Sequence, residues 1–138
     1  MDEPTAGLDP AERNRFYNLL SRLGEKTIVI LSTHIVEDVS TLCSQFAIIC
    51  LGEVLYAGEP ESAVAEMTGK VFSKSIAREA LPKYQRDFRV ISTQLKAGQL
   101  HIRVFQEATP GNGFAPAVPN LEDVYFSNIS NRVDVNTI

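Results

Sequence analysis

The sequence lacks the long apolar run that a membrane-spanning helix requires. Its longest apolar runs, at 27–31 and 46–51, are far shorter than the roughly 20 residues needed to cross a bilayer. No positively charged leader with an apolar centre precedes the first motif, so no secretory signal is expected. We therefore predict a cytoplasmic protein with no direct membrane span, whose only membrane association comes through a partner.

Cysteine and histidine are scarce, with two residues of each. Cys43 and Cys50 have no CxxC spacing and no pair of nearby histidines, which argues against a metal centre at the cysteines. We interpret both as small apolar residues in a reducing compartment.

An excess of positive charge is also absent. The formal net charge is −4 and the lysines and arginines are scattered, so no nucleic-acid partner is expected. Lys70, Lys74 and Arg78 are interpreted as a solvated edge rather than a phosphate-binding track. With 44% hydrophobic and 22% charged residues, the composition is typical of one globular domain with, at most, a small appendage.

Continuous apolar runs alternate with helical patterns over the first 68 residues and indicate an α/β fold. Apolar residues at helical spacing, with Asp9 as a cap and Gly24 as a stop, predict a helix at 10–23. The run 27–31 is β-branched and apolar on both faces, which is typical of a parallel strand covered by helices. The remaining predicted elements are a helix at 36–43, strands at 46–51 and 54–57, and a helix at 60–67.

Beyond Gly69 the pattern changes to alternation of apolar and polar residues, which predicts a sheet with one wet face. Leu100, Ile102 and Val104 share one face of a predicted strand. The other predicted elements are a helix at 79–86, a strand at 88–95, a turn at 96–99, a loop at 109–120 and a helix at 121–128. We therefore expect a small α+β accessory region at 69–138.

The opening run MDEPTAGLDP places two adjacent acids, Asp2 and Glu3, shortly before a third, Asp9. Taken alone, such acids are readily explained as solvated or helix-capping residues. The residues around them carry a family resemblance that implies phosphoryl transfer, a reaction that needs one group to neutralise charge at a metal and another to position the nucleophile. The acids stand within the runs DEPT and GLDP, and a chance match to so many fixed positions is improbable in so short a chain.

The run Ser32-Thr33-His34 follows directly after the predicted strand at 27–31. The carboxyl end of a parallel strand is where open α/β sheets place their ligands. A lone histidine is more often structural, so the functional role of His34 rests on the family resemblance of its surroundings. His101 lies on an alternating strand without acidic neighbours, and we interpret it as a structural residue.

These runs resemble the ATP-hydrolysing subunits of ABC (ATP-binding cassette) transporters. DEPT and GLDP resemble the Walker B end and D-loop of that family, STH resembles its H-loop, and GEVLYAGEP resembles the passage that follows. A later run, PNLEDVY, is similar to the tail of cassettes that work with ABC-2 type permeases. The resemblance is strong over 1–68 and weaker over 69–138.

The resemblance implies the C-terminal part of a P-loop NTPase parallel sheet with helices at 1–68. It implies Glu3 and His34 as catalytic residues and Asp2 as a Mg²⁺ residue acting through water. Asp2, Asp9 and His34 are implied to bind the nucleotide cofactor, ATP, with Asp9 coupling the two sites of a dimer. The implied partners of the full-length parent are a second ATPase subunit, as a homodimer, and an integral membrane permease for export or import, which makes the subunit peripheral to the cytoplasmic membrane.

The sequence departs from the family pattern because it holds no phosphate-binding loop and no LSGGQ-like signature. Gly69-Lys70 is followed by Val71 rather than by Ser or Thr. Backbone N–H groups and a lysine of that loop cradle the phosphates, so these residues alone are expected to be inactive. The alternative is a non-catalytic interaction module that binds a cassette or permease. The strands at 27–31 and 46–51, left without neighbours, are expected either to pair directly with each other or to make the chain self-associate.

Overall fold

The computed structural model describes residues 1–130 of the chain. These residues form two compact units, one at Met1–Phe46 and a second beginning at Ala47. The predicted division at residue 68 rests on family resemblance and stays a prediction. The helices are α1 (Pro10–Gly24), α2 (Val36–Leu42), α3 (Pro60–Ala65), α4 (Leu81–Asp87) and α5 (Leu121–Ile129), and the strands are β1 (Phe46–Cys50), β2 (Glu53–Gly58), β3 (Val71–Ile76), β4 (Val90–Lys96), β5 (Gln99–Phe105) and β6 (Ala115–Pro116).

Helix α1 organises the first unit and confirms the helix predicted at 10–23. The Asp9 side chain accepts a hydrogen bond from the Glu12 N–H at 2.8 Å, which satisfies a free donor of the first turn. Pro10 occupies the first turn, where its missing N–H carries no penalty. The helix buries Tyr17 and Leu20. The predicted helix at 36–43 is confirmed as α2.

The strand predicted at 27–31 is wrong. Ile28 and Ile30 are 89% and 79% exposed, and the parallel contact in this part of the chain is a single bridge between Asp2 and Ser32. An apolar run becomes a buried parallel strand only when strands flank it and helices cover it. Within residues 1–130, backbone pairing reaches this run from one side alone, so a regular strand does not form.

The second unit begins with a hairpin of β1 and β2. Leu51 and Gly52 connect the strands with φ angles of 51° and 79°, which suits a two-residue turn whose central residues both lie in the left-handed region. The strands predicted at 46–51 and 54–57 are therefore confirmed. The run 46–51 is fully apolar, yet Ile49 is 68% exposed.

A four-stranded antiparallel sheet in the order β4-β5-β3-β6 forms the centre of the second unit. Strands β4 and β5 confirm the predicted hairpin, whereas β3 had no counterpart among the predicted strands. A register shift after Val90 lets Val90 and Ile91, which are 4% and 1% exposed, both be buried although they are consecutive. One cluster of buried residues consists of Phe72, Val90, Ile102, Val104 and Phe114, with Ile76, Leu81, Tyr84 and Phe88 packed against it.

The predicted helix at 79–86 is present as a short 3-10 turn (Arg78–Ala80) followed by α4, and the helix predicted at 60–67 is present as α3. The helix predicted at 121–128 is α5, which packs against β4 and α3. Reciprocal bonds between Asn120 and Asp123 cap its first turn. The loop predicted at 109–120 is present and contains only the two-residue strand β6.

Lys74 contradicts the interpretation of a solvated edge. Its ammonium group donates to the Tyr84 hydroxyl at 2.8 Å and lies 5.1 Å from the Tyr84 ring centroid and 5.7 Å from that of Phe114. Aromatic faces attract a cation at these distances. Lys74 therefore stabilises the packing of α4 and the loop before β6 on the sheet.

The fold is α/β, as predicted, and in the second unit α5 packs on an antiparallel sheet. The parallel sheet expected for residues 1–68 is represented by the Asp2–Ser32 bridge alone. Within residues 1–130, no helix is both long enough and apolar enough to cross a membrane.

Candidate functional site

Backbone pairing brings the two predicted motifs together in the first unit. The Met1 amino group donates to the Ile30 carbonyl at 2.8 Å, and the Ser32 N–H donates to the Met1 carbonyl at 2.8 Å. The Glu3 N–H then donates to the Ser32 carbonyl at 2.6 Å. Because the two segments run in parallel, the residues that follow them, Glu3 and His34, lie at the same end.

The side chains at this end are also paired. The Ser32 hydroxyl donates to the Asp2 carboxylate at 2.6 Å. His34 Nδ1 contacts a carboxylate oxygen of Glu3, and the two side chains are 71% and 41% exposed. A carboxylate beside an accessible imidazole is a pair that can accept, hold and pass a proton. The structure therefore brings together three of the predicted site residues, Asp2, Glu3 and His34.

Glu3 has a backbone conformation that non-glycine residues seldom adopt, with φ at 46°. Such residues persist where surrounding contacts fix them, and they concentrate at functional sites. Here the Glu3 N–H is bonded to Ser32 and its carboxylate contacts His34. These contacts fix the direction of the Glu3 side chain.

Asp9 lies apart from this cluster in its described contacts. It caps α1, and the Glu12 N–H, with other donors of the first turn, lowers the pKa of the Asp9 carboxyl. Capping α1 does not prevent Asp9 from also acting at a subunit interface. That role stays a prediction.

Asp38 is the residue that sequence reasoning missed. Its side chain is wholly buried and accepts hydrogen bonds from three hydroxyl groups. Thr5 donates to both carboxylate oxygens, at 2.8 and 2.7 Å, Tyr17 donates at 2.6 Å and Thr33 at 2.9 Å. Three neutral donors can hold a buried carboxylate in place of water.

These bonds position both halves of the candidate site. Thr5 lies two residues after Glu3, and Thr33 lies directly before His34. Thr33 also accepts from the Ile35 N–H at 2.9 Å, which fixes the chain just beyond the histidine. Asp38 therefore links the turn after Glu3 to the segment that carries His34.

Two neighbours of Asp38 have raised pKa values. Burial, and then the hydrogen bond to Asp38, raise the pKa of the Tyr17 hydroxyl, so Tyr17 stays a donor at neutral pH. Burial raises the pKa of the Cys43 thiol, and the charge of Asp38 adds to this shift. A thiol with a raised pKa is a poor nucleophile and a poor metal ligand. This direction agrees with the interpretation of Cys43 as a small, unreactive residue, which stays a prediction.

The residues around Asp2 offer a magnesium ion a single carboxylate ligand. Mg²⁺ prefers oxygen ligands, keeps several waters and commonly shares one or two carboxylates with substrate phosphates. Asp2, held by Ser32, offers one such carboxylate. No group of three or more His, Cys, Asp or Glu side chains arranged to hold a metal occurs in residues 1–130. Asp2 therefore fits a water-mediated role beside bound phosphate and not an independent metal centre.

Comparison with known proteins identifies the class. The chain is 33% identical over 97 residues to the Arabidopsis thaliana protein called ABC transporter A family member 10, covering 70% of this chain and 11% of that protein. It is 28% identical to a putative ABC transporter ATP-binding protein of Mycoplasma pneumoniae, covering 91% of this chain and 45% of that protein. It is 29% identical to the Nod factor export ATP-binding protein I of Bradyrhizobium sp. (strain SNU001), covering 91% and 44%.

These relatives are all ABC transporter proteins or their ATP-binding subunits. This chain therefore belongs to the ABC ATPase family and corresponds to part of such a protein. It spans about a tenth of the plant relative and less than half of the two bacterial ones. No protein-family model matches the chain.

Proposed function

We propose that this chain supplies the water-activating and phosphate-contacting residues of an ABC ATPase subunit. The observation that carries the proposal is the contact between Glu3 and His34, which are far apart in sequence and meet at the end of a parallel pairing. The buried Asp38 supports it by linking the segments that carry the two side chains. Matches to ABC ATP-binding proteins along most of the chain agree with this assignment.

In this proposal Glu3 orients and polarises the water that attacks the γ-phosphate of ATP. A carboxylate can accept the water's proton as the bond to phosphorus forms. The contact with His34 and the fixed backbone already restrict the Glu3 side chain. Glu3 therefore loses less conformational entropy when it reaches the reactive geometry.

The remaining roles divide among three side chains. His34, which is largely exposed, donates a hydrogen bond to the γ-phosphate from the nitrogen that does not face Glu3. Asp2 would hold Mg²⁺ through a water, and the ion, when bound, would neutralise charge on the phosphates. Asp9, at the start of α1, serves the coupling between two nucleotide sites.

The proposed partners follow from membership of the family. We assign residues 1–68 to the cassette and 69–138 to an accessory region. The subunit pairs with a second copy around two MgATP molecules and drives an integral membrane permease from the cytoplasmic side. Export is the direction we favour, because the run PNLEDVY resembles cassettes of ABC-2 exporters and one relative is called a Nod factor export protein.

The 138 residues alone are expected neither to bind MgATP tightly nor to hydrolyse it. The sequence holds no loop of the type that ends in Gly-Lys-Ser or Gly-Lys-Thr, so backbone donors for the phosphates are missing. Titration calorimetry with MgATP should detect no binding at micromolar nucleotide, and phosphate release should equal the background. Turnover that Glu3→Gln abolishes would contradict this expectation and show that a phosphate cradle lies elsewhere in the chain.

A non-catalytic interaction module is the second candidate function. The large exposure of Ile28 and Ile30 favours it, because such residues are more often covered by a partner. The two functions differ in the full-length subunit. Loss of hydrolysis in Glu3→Gln supports catalysis, and unchanged hydrolysis supports the interaction module.

A further inference from the structure

The segments that carry the proposed catalytic pair, Glu3 and His34, are both anchored to one buried carboxylate. Thr5 donates to both oxygens of Asp38, at 2.8 and 2.7 Å, and Thr33 donates to one of them at 2.9 Å. Thr5 and Asp38 are wholly buried, so water does not compete for the bond between them. We call the path Thr5–Asp38–Thr33 the carboxylate link.

On the histidine side, the carboxylate link fixes the backbone before and after His34. The Thr33 hydroxyl donates to Asp38 and also accepts from the Ile35 N–H at 2.9 Å. A hydroxyl bonded in this way closes a local turn around the residue between. The Asp38 N–H donates in turn to the Ile35 carbonyl at 3.0 Å. The direction in which the His34 side chain leaves the backbone therefore depends on these bonds.

On the other side, the carboxylate link fixes the turn that follows Glu3. The Ala6 N–H donates to the Glu3 carbonyl at 3.3 Å, which closes a turn with Thr5 inside it. Glu3 holds a φ angle of 46°, a conformation that costs free energy and persists only where surrounding contacts impose it. The bond from Thr5 to Asp38 is such a contact, because it holds the turn at a wholly buried residue.

We propose that Asp38 is a positioning residue for ATP hydrolysis, which sets the distance and direction between the Glu3 carboxylate and the His34 imidazole. This inference rests on the proposed function, because it concerns the reaction of the same pair. Asp38 is wholly buried, so it acts through Thr5 and Thr33 and not by contact with the substrate. Misplacing a reacting group by about 1 Å can lower a rate by about 100-fold, so loss of the link should affect kcat far more than ATP binding.

A carboxylate suits this role because it is a charged acceptor with two oxygens. Hydrogen bonds to an ionised acceptor are shorter and stronger than bonds between neutral groups. Since Thr5 and Thr33 share this acceptor, a displacement of one segment is transmitted to the other. The third donor, Tyr17, bonds to the same carboxylate at 2.6 Å from α1, a helix that carries neither member of the pair. Tyr17 therefore offers a matched comparison.

Replacing Asp38 itself leaves three donors without their acceptor and endangers the fold, so the hydroxyls are changed singly. In the full-length subunit, Thr33→Val should lower kcat for ATP hydrolysis by about tenfold to a hundredfold and leave KM for MgATP nearly unchanged. Thr33→Ser, which restores the hydroxyl, should recover most of the rate. Thr5→Val should act like Thr33→Val, and the double variant should lose little more than the more affected single variant, because both substitutions break the same link. Tyr17→Phe should keep kcat close to the wild-type value.

Nuclear magnetic resonance of the 138-residue chain tests the carboxylate link without nucleotide. The histidines of the chain are His34 and His101, so the His101 ring serves as an internal reference. Thr5→Val should shift the ring signals of His34, although Thr5 belongs to the other segment, and leave those of His101 unchanged. Thr5→Ser should restore the wild-type signals. Unchanged His34 signals in Thr5→Val would overturn the inference.

The hydrolysis rates separate this inference from the proposed function. Wild-type kcat in Thr33→Val, together with loss of hydrolysis in Glu3→Gln, would overturn the role of Asp38 and leave the proposed function standing. Equal loss of kcat in Thr33→Val and Tyr17→Phe would also overturn it, since Asp38 would then act on stability alone. Wild-type hydrolysis in Glu3→Gln would refute the proposed function and the role of Asp38 with it.

Discussion

The hydroxyl of Tyr17 tests how Asp38 holds the first unit together. The Tyr17 side chain is 6% exposed, and its hydroxyl donates to the Asp38 carboxylate at 2.6 Å. A hydrogen bond to a charged group contributes about 1.5–3 kcal/mol. Tyr17→Phe keeps the ring and removes only this bond, so it should lower the free energy of unfolding of the first unit by about that amount. Thr5 and Thr33 still donate to Asp38, which favours the lower end of the range.

Urea unfolding followed by circular dichroism measures the loss of unfolding free energy. Hydrogen exchange of the α1 amides shows whether the destabilisation lies in the first unit. Tyr125→Phe is the control, because Tyr125 lies on α5 and its hydroxyl makes no hydrogen bond within residues 1–130. The control should change the free energy of unfolding by less than about 0.5 kcal/mol. Equal effects of the two substitutions, or faster exchange outside the first unit only, would refute the role we assign to Asp38.

Two further predictions concern charge and pH. Arg103→Met should destabilise the second unit by about 3–5 kcal/mol in urea unfolding, since it leaves the Asp123 carboxylate, 2% exposed and bonded at 2.7 and 2.6 Å, without its partner. Lys70→Met, which breaks an exposed pair with Glu107, should cost less than about 1 kcal/mol, and equal losses would contradict this difference. The raised pKa of Tyr17 contributes stability that is fully present below the ordinary tyrosine pKa of 10.0 and is lost as pH rises above it. Alkaline titration should therefore destabilise the wild type more than Tyr17→Phe, and parallel profiles would argue against the shift.

Local sequence signals predicted the helices well, because helix ends depend on neighbours in the chain. Asp9, Pro10 and Gly24 mark the two ends of α1, and the structure has the helix at these positions. Asn120 and Asp123 likewise cap α5. The contact between Glu3 and His34 was not predicted, because only His34 follows an apolar run in the sequence and the parallel pairing that brings Glu3 beside it appears in the structure alone.

The strands were less predictable, because pairing depends on residues far away in sequence. The run 27–31 has the composition of a buried strand, yet Ile28 and Ile30 stay exposed because hydrogen bonds reach the run from one side only. Strand β3 was missed because its sequence pattern is weak although it has a neighbouring strand on each side. Its polar centre gives a weak pattern, and pairing with β5 on one side and β6 on the other creates it.

Asp38 could not be found from spacing alone. Its acidic side chain in the first turn of a short helix is explained equally well as a solvated residue. Only the fold shows that Thr5, Tyr17 and Thr33 converge on it. Lys74 is a similar case, because the rings that cover it lie on α4 and on the loop before β6.

The most direct test of the account is the rate of ATP hydrolysis by the full-length subunit with Glu3→Gln, compared with the wild type. An amide keeps the shape of the side chain but cannot accept a proton, so hydrolysis should fall by roughly 100- to 10,000-fold. ATP binding should be retained, and an ATP-bound dimer should accumulate. Hydrolysis at the wild-type rate would contradict the assignment of Glu3 and, with it, the proposed catalytic role of this chain.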